Sequence, residues 1–271
     1  MEHHVNWLTA LLNHLIGKQV GDLMVRAGLH PHNPAEPFQD YVVMSVVVLL
    51  VSMVFVLWLK RRLSVDRPGP AQQIAEFLIT NPAHVGIRDL LEQNAGHQGR
   101  DFVPLVGTIS VFILVSNLIS VIPAFVSPTA FVPVPLGCAL VTFVYFNWQG
   151  IRHSGLLGYL KHLWGPVWWL GPLILPVEAI SYSARILSLT VRLYANIFAS
   201  ELLYATFLGI LLMPTVSVGE KNTLLGILIG IFPAIFPIAF VLLHIFVAVI
   251  QTFVFTILPS IYIGQVVAEE H

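Results

Sequence analysis

Glu178, Arg185, Arg192 and Glu201 are the charged residues of Leu173 to Leu212, an otherwise apolar run of 40 residues. His244 and Gln251 are the main polar breaks in Thr223 to Val267, which has no Asp, Glu, Lys or Arg over 45 residues. An ionisable side chain in a lipid interior costs about 2.5–3.5 kcal/mol on insertion scales, so such residues mark function first. Glu178, Arg185 and Arg192 repeat every seven residues, which holds them on nearly one helical face. Ser181 and Ser188 fall on or near that face. Ser188, Arg192 and Asn196 are four apart and stack as neighbours. Ala195 and Ala199 extend a strip of small residues that lets another helix come close. Glu201 lies nine residues beyond Arg192, half a turn round the helix, so a direct ion pair between them is disfavoured. His244 and Gln251, seven apart, share a face.

These residue types suit proton movement. Arginine stays protonated at any working pH, so Arg192 is a fixed positive charge and a poor proton carrier. Glutamate and histidine both exchange protons, and histidine does so near neutrality. Plainer readings stand beside this one. Glu178 and Arg185 could sit near a helix end, where long side chains reach the interface. A lone histidine is more often a packing residue, but the heptad partner Gln251 favours a functional one.

The rest of the chain must position these groups. Of 271 residues, 56% are hydrophobic and 10% charged, and the mean hydropathy is +0.82. Soluble domains carry about a quarter charged residues, which excludes an ordinary cytosolic globule. Disorder needs the opposite composition. A net charge of −1 gives no basis for binding nucleic acid. One cysteine, Cys138, allows no intrachain disulfide and reads as packing. The fold class expected is an all-α polytopic membrane protein.

Residues 1–40 form an external amino-terminal segment without a long apolar core beside a basic start, so no cleavable signal peptide is expected. Within it, Trp7 to Ile16 reads either as a short amphipathic surface helix or as a loosely ordered tail. A first span covers 41–59 and ends in Lys60, Arg61 and Arg62. Residues 60–101 are polar and hold a surface helix over Pro70 to Ile79, with Ile74, Phe77 and Leu78 on one side. Phe102 to Ile122 and Pro133 to Trp148 make a hairpin of spans over 102–148. Basic residues follow the first and third spans, while the link after the second has none. By the positive-inside rule, 60–101 and 150–165 face the cytoplasm, the amino terminus lies outside and the carboxy terminus inside.

As helices, 173–212 and 223–267 would each be about 60 Å or longer, twice the hydrocarbon thickness. Ordinary tilt near 20° cannot absorb that length. Each is therefore broken or steeply inclined, and a hairpin of two long inclined helices is expected, with a polar turn over Met213 to Asn222. Pro233, Pro237 and Pro259 are the candidate breakers in the second.

The segment from Ser188 through Leu189, Arg192, Leu193, Tyr194, Ala195, Asn196, Ala199, Ser200 and Glu201 resembles the signature S-L-x-x-R-L-[FY]-[GA]-N-x-x-[AG]-[GS]-[EH] of subunit a of F-type rotary ATP synthases. His244 to Gln251, running on to Phe253 and Phe255, is similar to that family's final-helix pattern. The likeness spans most of the chain; residues 1–40 carry nothing distinctive, and Gly226 to Pro237 is an apolar, Pro-containing stretch longer than in compact relatives. The resemblance implies a stator subunit of the membrane sector in a bacterial inner membrane, with two offset half-channels for protons. Arg192 would face the rotating c-ring. Glu201, His244 and Gln251 match the half-channel open to the outside, Asn196 a polar position beside the arginine, and Glu178 and Ser188 the half-channel open to the cytoplasm. The implied partners are c subunits with a mid-membrane carboxylate, peripheral-stalk b subunits and the whole synthase, with the lipid bilayer around them.

Three other classes compete. A self-contained proton-coupled transporter usually shows internal repeats, and none is evident between 41–150 and 173–267. A membrane enzyme would need a site such as H-E-x-x-H or G-x-S-x-G, and neither occurs. The phosphate loop G-x4-G-K-[ST] is missing too, so no direct ATP binding, catalytic residue, cofactor or metal site is expected. A purely structural anchor would not need Arg192, Glu201 and His244.

Overall fold

The computed structural model describes residues 6–26, 28, 36–64, 67–80, 86–122, 125–164, 168–219 and 223–267. Every regular element among them is helical. A chain crossing lipid must satisfy its own backbone polar groups, and helices do so within one segment. In order these are α1 (Trp7–Leu12), a π-helical turn (Asn13–Gly17), α2 (Lys18–Arg26), α3 (Asp40–Arg61), α4 (Pro70–Ile79), α5 (Ile87–Ala95) and a 3₁₀ segment (Gly96–Phe102). Then come α6 (Val103–Ile119), a 3₁₀ turn (Pro128–Ala130), α7 (Pro133–Trp164), a 3₁₀ turn (Trp168–Leu170), α8 (Gly171–Gly219) and α9 (Thr223–Val267). Among the described residues, five stretches are long and apolar enough to cross a membrane: Asp40–Arg61, Gly99–Ile119, Pro133–Arg152, Gly171–Leu203 and Ile238–Tyr262. The protein is an all-α polytopic membrane protein.

Three details differ from the pattern-based reading. Residues 213–219, read as a turn, continue α8 to Gly219. Pro214 removes one backbone donor, which the rest of the helix tolerates. Residues 150–164, read as a loop, continue α7 as helix on either side of a break at Gly155. Gly155 has φ 70° and ψ 162°, a backbone state that a side chain disfavours strongly. A further helix, α5, forms inside the polar 60–101 segment. Its apolar residues Ile87, Leu90 and Leu91 follow helical spacing and are buried.

The chain packs as two compact units. The first comprises Met1–Val48, Val115–Phe131 and Tyr194–Ile250. Here the amino-terminal helices are tied to the start of α3. The backbone N–H of Asn6 donates to Asp40 Oδ1 at 3.0 Å. Asn13 grips the backbone of Phe38 twice, giving Nδ2–H to its carbonyl at 3.0 Å and taking its N–H at 3.1 Å. Trp7 to Ile16 is thus helical and tethered rather than a loose tail, and Trp7, Leu11 and Leu15 stay exposed.

The second unit comprises Leu49–Leu114, Val132–Leu193 and Gln251–His271. Its core gathers Ile87, Leu91, Ala95, Phe102, Val106 and Phe146, with Phe143, Tyr182 and Tyr262 against it. Gly86 lets α4 and α5 meet: a Cβ there would lie 2.5 Å from the Ile79 carbonyl oxygen. Polar pairs also bind the elements. The Ser110 and Thr256 hydroxyls are 2.6 Å apart, and Asn94 Nδ2 donates to Ser260 Oγ at 3.2 Å. On α4, Ile74, Phe77 and Leu78 remain exposed.

Candidate functional site

In the first unit, α6, α8, α9 and the α6–α7 link bring polar groups to one place. α9 supplies His244, α8 supplies Ser200 and Glu201, and the end of α6 supplies Asn117 and, just beyond it, Ser120. The link adds Ser127 and Thr129. Asn117, Ser127 and Thr129 are fully buried, while Glu201 and His244 are half-buried.

The contacts form a connected set. Ser127 N–H donates to Glu201 Oε1 at 3.2 Å. Ser120 Oγ lies 3.0 Å from His244 Nε2, which is itself 2.9 Å from the Asn117 carbonyl oxygen. On the other side of the ring, Nδ1 lies 2.8 Å from Ser200 Oγ. The link is fixed in turn, since Ser127 Oγ donates to the Ser116 carbonyl at 2.8 Å and Thr129 Oγ1 to Asn117 Oδ1 at 2.6 Å. Asn117 Nδ2 is buried without a partner among the described residues, leaving one donor open beside the cluster. The carboxyl and the imidazole thus lie in one polar cluster, linked through Ser127, Thr129 and Asn117, and the two hydroxyls among these both donate and accept.

In the second unit, Arg192 is exposed and its Nη2 approaches Ser188 Oγ at 3.4 Å, as their spacing of four predicts. Within that unit's part of α8, Ser188 and Arg192 are exposed while Leu189 and Leu193 are buried; in the first unit's part, Ala195, Asn196 and Ala199 are exposed while Ile197 is buried. Gln251 is only 2% exposed. Glu178 is half-buried. Arg185 lies over two rings, with its guanidinium carbon 5.3 Å from the centroid of Tyr182 and 4.6 Å from that of Tyr262. Such cation–π contacts stabilise a charge that has left bulk water. Tyr159 donates its hydroxyl hydrogen to Asn147 Oδ1 and is hydrogen-bonded to Tyr182.

Glu201 and His244 thus share one cluster, and Ser188 sits beside Arg192. Ser120, Asn117 and Ser127 went unnoticed in the pattern of the sequence, and Ser200 stood there only as a member of the signature segment. The available signal was Ser116-Asn117-x-x-Ser120, a concentration of polar residues at the end of an otherwise apolar span.

Comparison with known proteins gives the family. A family model described as ATP synthase A chain matches residues 42–264. ATP synthase subunit a of Koribacter versatilis (strain Ellin345) is 38% identical over 268 residues, covering 99% of each chain. The subunit a of Solibacter usitatus (strain Ellin6076) is 37% identical over 239 residues, 88% of this chain and 91% of its own. That of Desulfosudis oleivorans is 42% identical over 204 residues, 75% of this chain and 78% of its own. A matched segment that contains every charged and polar residue of the site, and relatives aligned over nearly the full length, lead to one conclusion: the chain belongs to the family of subunit a of the F-type ATP synthase.

Proposed function

We propose that this chain is the stator side of a rotary proton path, with two half-channels that meet the rotor at Arg192. Membership of the family gives the coarser role, a proton-translocating subunit in the membrane sector of the synthase. The finer reading rests chiefly on one observation: Glu201 and His244, both in apolar helices, are joined by hydroxyls and backbone groups into one hydrogen-bonded cluster.

A rotor carboxylate arriving at Arg192 is attracted in its ionised form, because a nearby opposite charge favours proton release. The same fixed cation repels a proton hopping straight across. One residue thereby drives deprotonation and blocks a leak. Glu201, His244 and Gln251 deliver protons from outside, and Asn196 is a polar position four residues from Arg192. Protons ride round the c-ring and leave past Ser188 and Glu178 to the cytoplasm. A charge crossing 100 mV releases about 2.3 kcal/mol, so a rotor that sums several protons per ATP is required. The partners are the c subunits, peripheral-stalk b subunits and the rest of the synthase. In this arrangement the amino terminus lies outside and the carboxy terminus in the cytoplasm of a bacterial cell.

Side-specific labelling tests this layout. With Cys138 replaced by serine, a cysteine at Glu201 or His244 is expected to react with a membrane-impermeant thiol reagent only from outside, and one at Ser188 only from the cytoplasm. Labelling of Glu201→Cys from the cytoplasmic side alone contradicts the assignment of the half-channels.

A further inference from the structure

We infer that the amino-terminal segment braces the outer proton site: Trp7 and Tyr41 hold the two ends of the α6–α7 link, and the link holds Glu201. This inference deepens the outer half-channel reading and rests on it. Trp7 and Tyr41 are positioning residues that act through the link and touch no proton in transit.

All of these groups belong to one compact unit. The link carries the donor, since Ser127 N–H gives to Glu201 Oε1 at 3.2 Å. Such a donor serves only while its backbone stays in place, and connecting segments are ordinarily the mobile part of a fold. The middle of the link is tied to α6. Ser127 Oγ donates to the Ser116 carbonyl at 2.8 Å, and Thr129 Oγ1 donates to Asn117 Oδ1 at 2.6 Å. The Ser127 and Thr129 hydroxyls lie 2.7 Å apart across the 3₁₀ turn Pro128–Ala130. These bonds lead back to α6 alone.

The hold on the two ends comes from residues ahead of 42, where the family match begins. The Trp7 ring lies 6.3 Å from that of Phe125, centroid to centroid, with the planes 53° apart. The Tyr41 ring lies 6.0 Å from that of Phe131, with the planes 42° apart. Both separations fall in the range of about 4.5–7 Å over which tilted ring pairs attract. Phe125 and Phe131 flank Ser127 and Thr129, so the two ring contacts bracket the donor. The brace is anchored in turn. Asn6 N–H donates to Asp40 Oδ1 at 3.0 Å, and Asn6 Oδ1 caps α1 by accepting from Leu8 N–H at 3.0 Å. Asn13 joins the Phe38 backbone through both ends of its amide. Trp7 and Tyr41 are thereby fixed on one piece at the start of α3, and that piece grips the link at two points.

The test reads ATP-driven acidification of inverted vesicles at matched assembly of the synthase. It compares Trp7→Ala combined with Tyr41→Ala, Trp7→Phe combined with Tyr41→Phe, and Glu201→Gln. The alanine pair is expected to slow acidification about tenfold, inside the roughly hundredfold that a misplacement of about 1 Å can cost. The phenylalanine pair keeps both rings and is expected to stay within about twofold of wild type. A covalent joint supplies the second readout. In Trp7→Cys combined with Phe125→Cys, with Cys138 replaced by serine, a short membrane-permeant bifunctional maleimide is expected to join the two thiols. Joining them is expected to raise acidification several-fold, while neither cysteine alone responds. A joint made in an already assembled synthase changes the rate only if the contact positions the site, so this readout decides if the alanine pair fails to assemble. Wild-type rates in the alanine pair, with Glu201→Gln inactive, overturn the brace and leave the half-channel standing. So does an equal loss in the phenylalanine pair, a failure of the thiols to join, or a joined pair no faster than the unjoined one. Full activity of Glu201→Gln overturns the half-channel itself.

Discussion

In the proposed path, a guanidinium at position 192 and a carboxyl at position 201 do opposite work on one helix. The first never releases its proton. The second, on this proposal, takes one up and gives it away. Glutamine at 201 keeps the shape and can still accept the Ser127 N–H, now made at 3.2 Å, but it cannot bind and release a proton. Glu201→Gln is therefore expected to lower ATP-driven acidification by about a hundredfold or more while the synthase still assembles, the magnitude of losing a positioned proton-transfer group. Acidification at the wild-type rate would contradict that role. The ionisable residues were legible in the sequence because each is expensive in an apolar run. Their hydroxyl partners were not. Ser120 and Ser200 are cheap in a membrane helix, and only the meeting of α6, α8 and α9 reveals which serine lies against which ring nitrogen of His244.

Among the elements, the segment Ile87 to Phe102 shows how a polar stretch becomes ordered beside the membrane. Its apolar residues Ile87, Leu91, Ala95 and Phe102 enter the core of the second unit. Its polar side is clamped by Glu92, which accepts from Arg88 Nε at 2.7 Å and from Arg100 Nε at 2.6 Å. The hydrogen bonds from Arg88 and then Arg100 hold the Glu92 carboxyl below its ordinary value of 4.5. A carboxyl depressed on folding contributes order that is fully present above its unfolded value and is lost as pH falls through the folded one. Amide exchange in 87–102 is therefore expected to quicken, after correction for intrinsic rates, once pH drops below 4.5, and Glu92→Gln to remove that pH dependence. An unchanged pH response in Glu92→Gln would rule out the clamp as its source. The effect is small, since the pair lies in solvent. The mixed charge of 60–101 hid α5 from a reading by composition, although Ile87, Leu90 and Leu91 carried the helical spacing. The pleat-free apolar runs of the spans were plain, because length and lack of charge alone define them.

For the whole molecule, the apolar surface is a consequence of its solvent. Val46, Leu50, Val51 and Val54 of α3 are about half exposed, as are Leu242, Phe246 and Val249 of α9. In water such a surface would drive aggregation; in lipid it is the natural exterior. Val51→Arg places a charge at the middle of α3 and is expected to cost about 2.5–3.5 kcal/mol of insertion, read as reduced membrane integration of the chain. Integration equal to wild type would mean that this side of α3 does not face hydrocarbon. Five crossing-length helices were legible from hydropathy, but the break at Gly155 and the extension of α8 to Gly219 were not. Backbone conformation at a single glycine, or past a single proline, leaves little trace in composition.

The central claim is that Arg192 couples rotor charge to proton flow. Its most direct test is ATP-driven acidification of inverted membrane vesicles, wild type against Arg192→Ala, with assembly of the synthase verified by co-purification of its other subunits. The account predicts that acidification disappears while assembly is retained. Normal acidification by the alanine variant would contradict it.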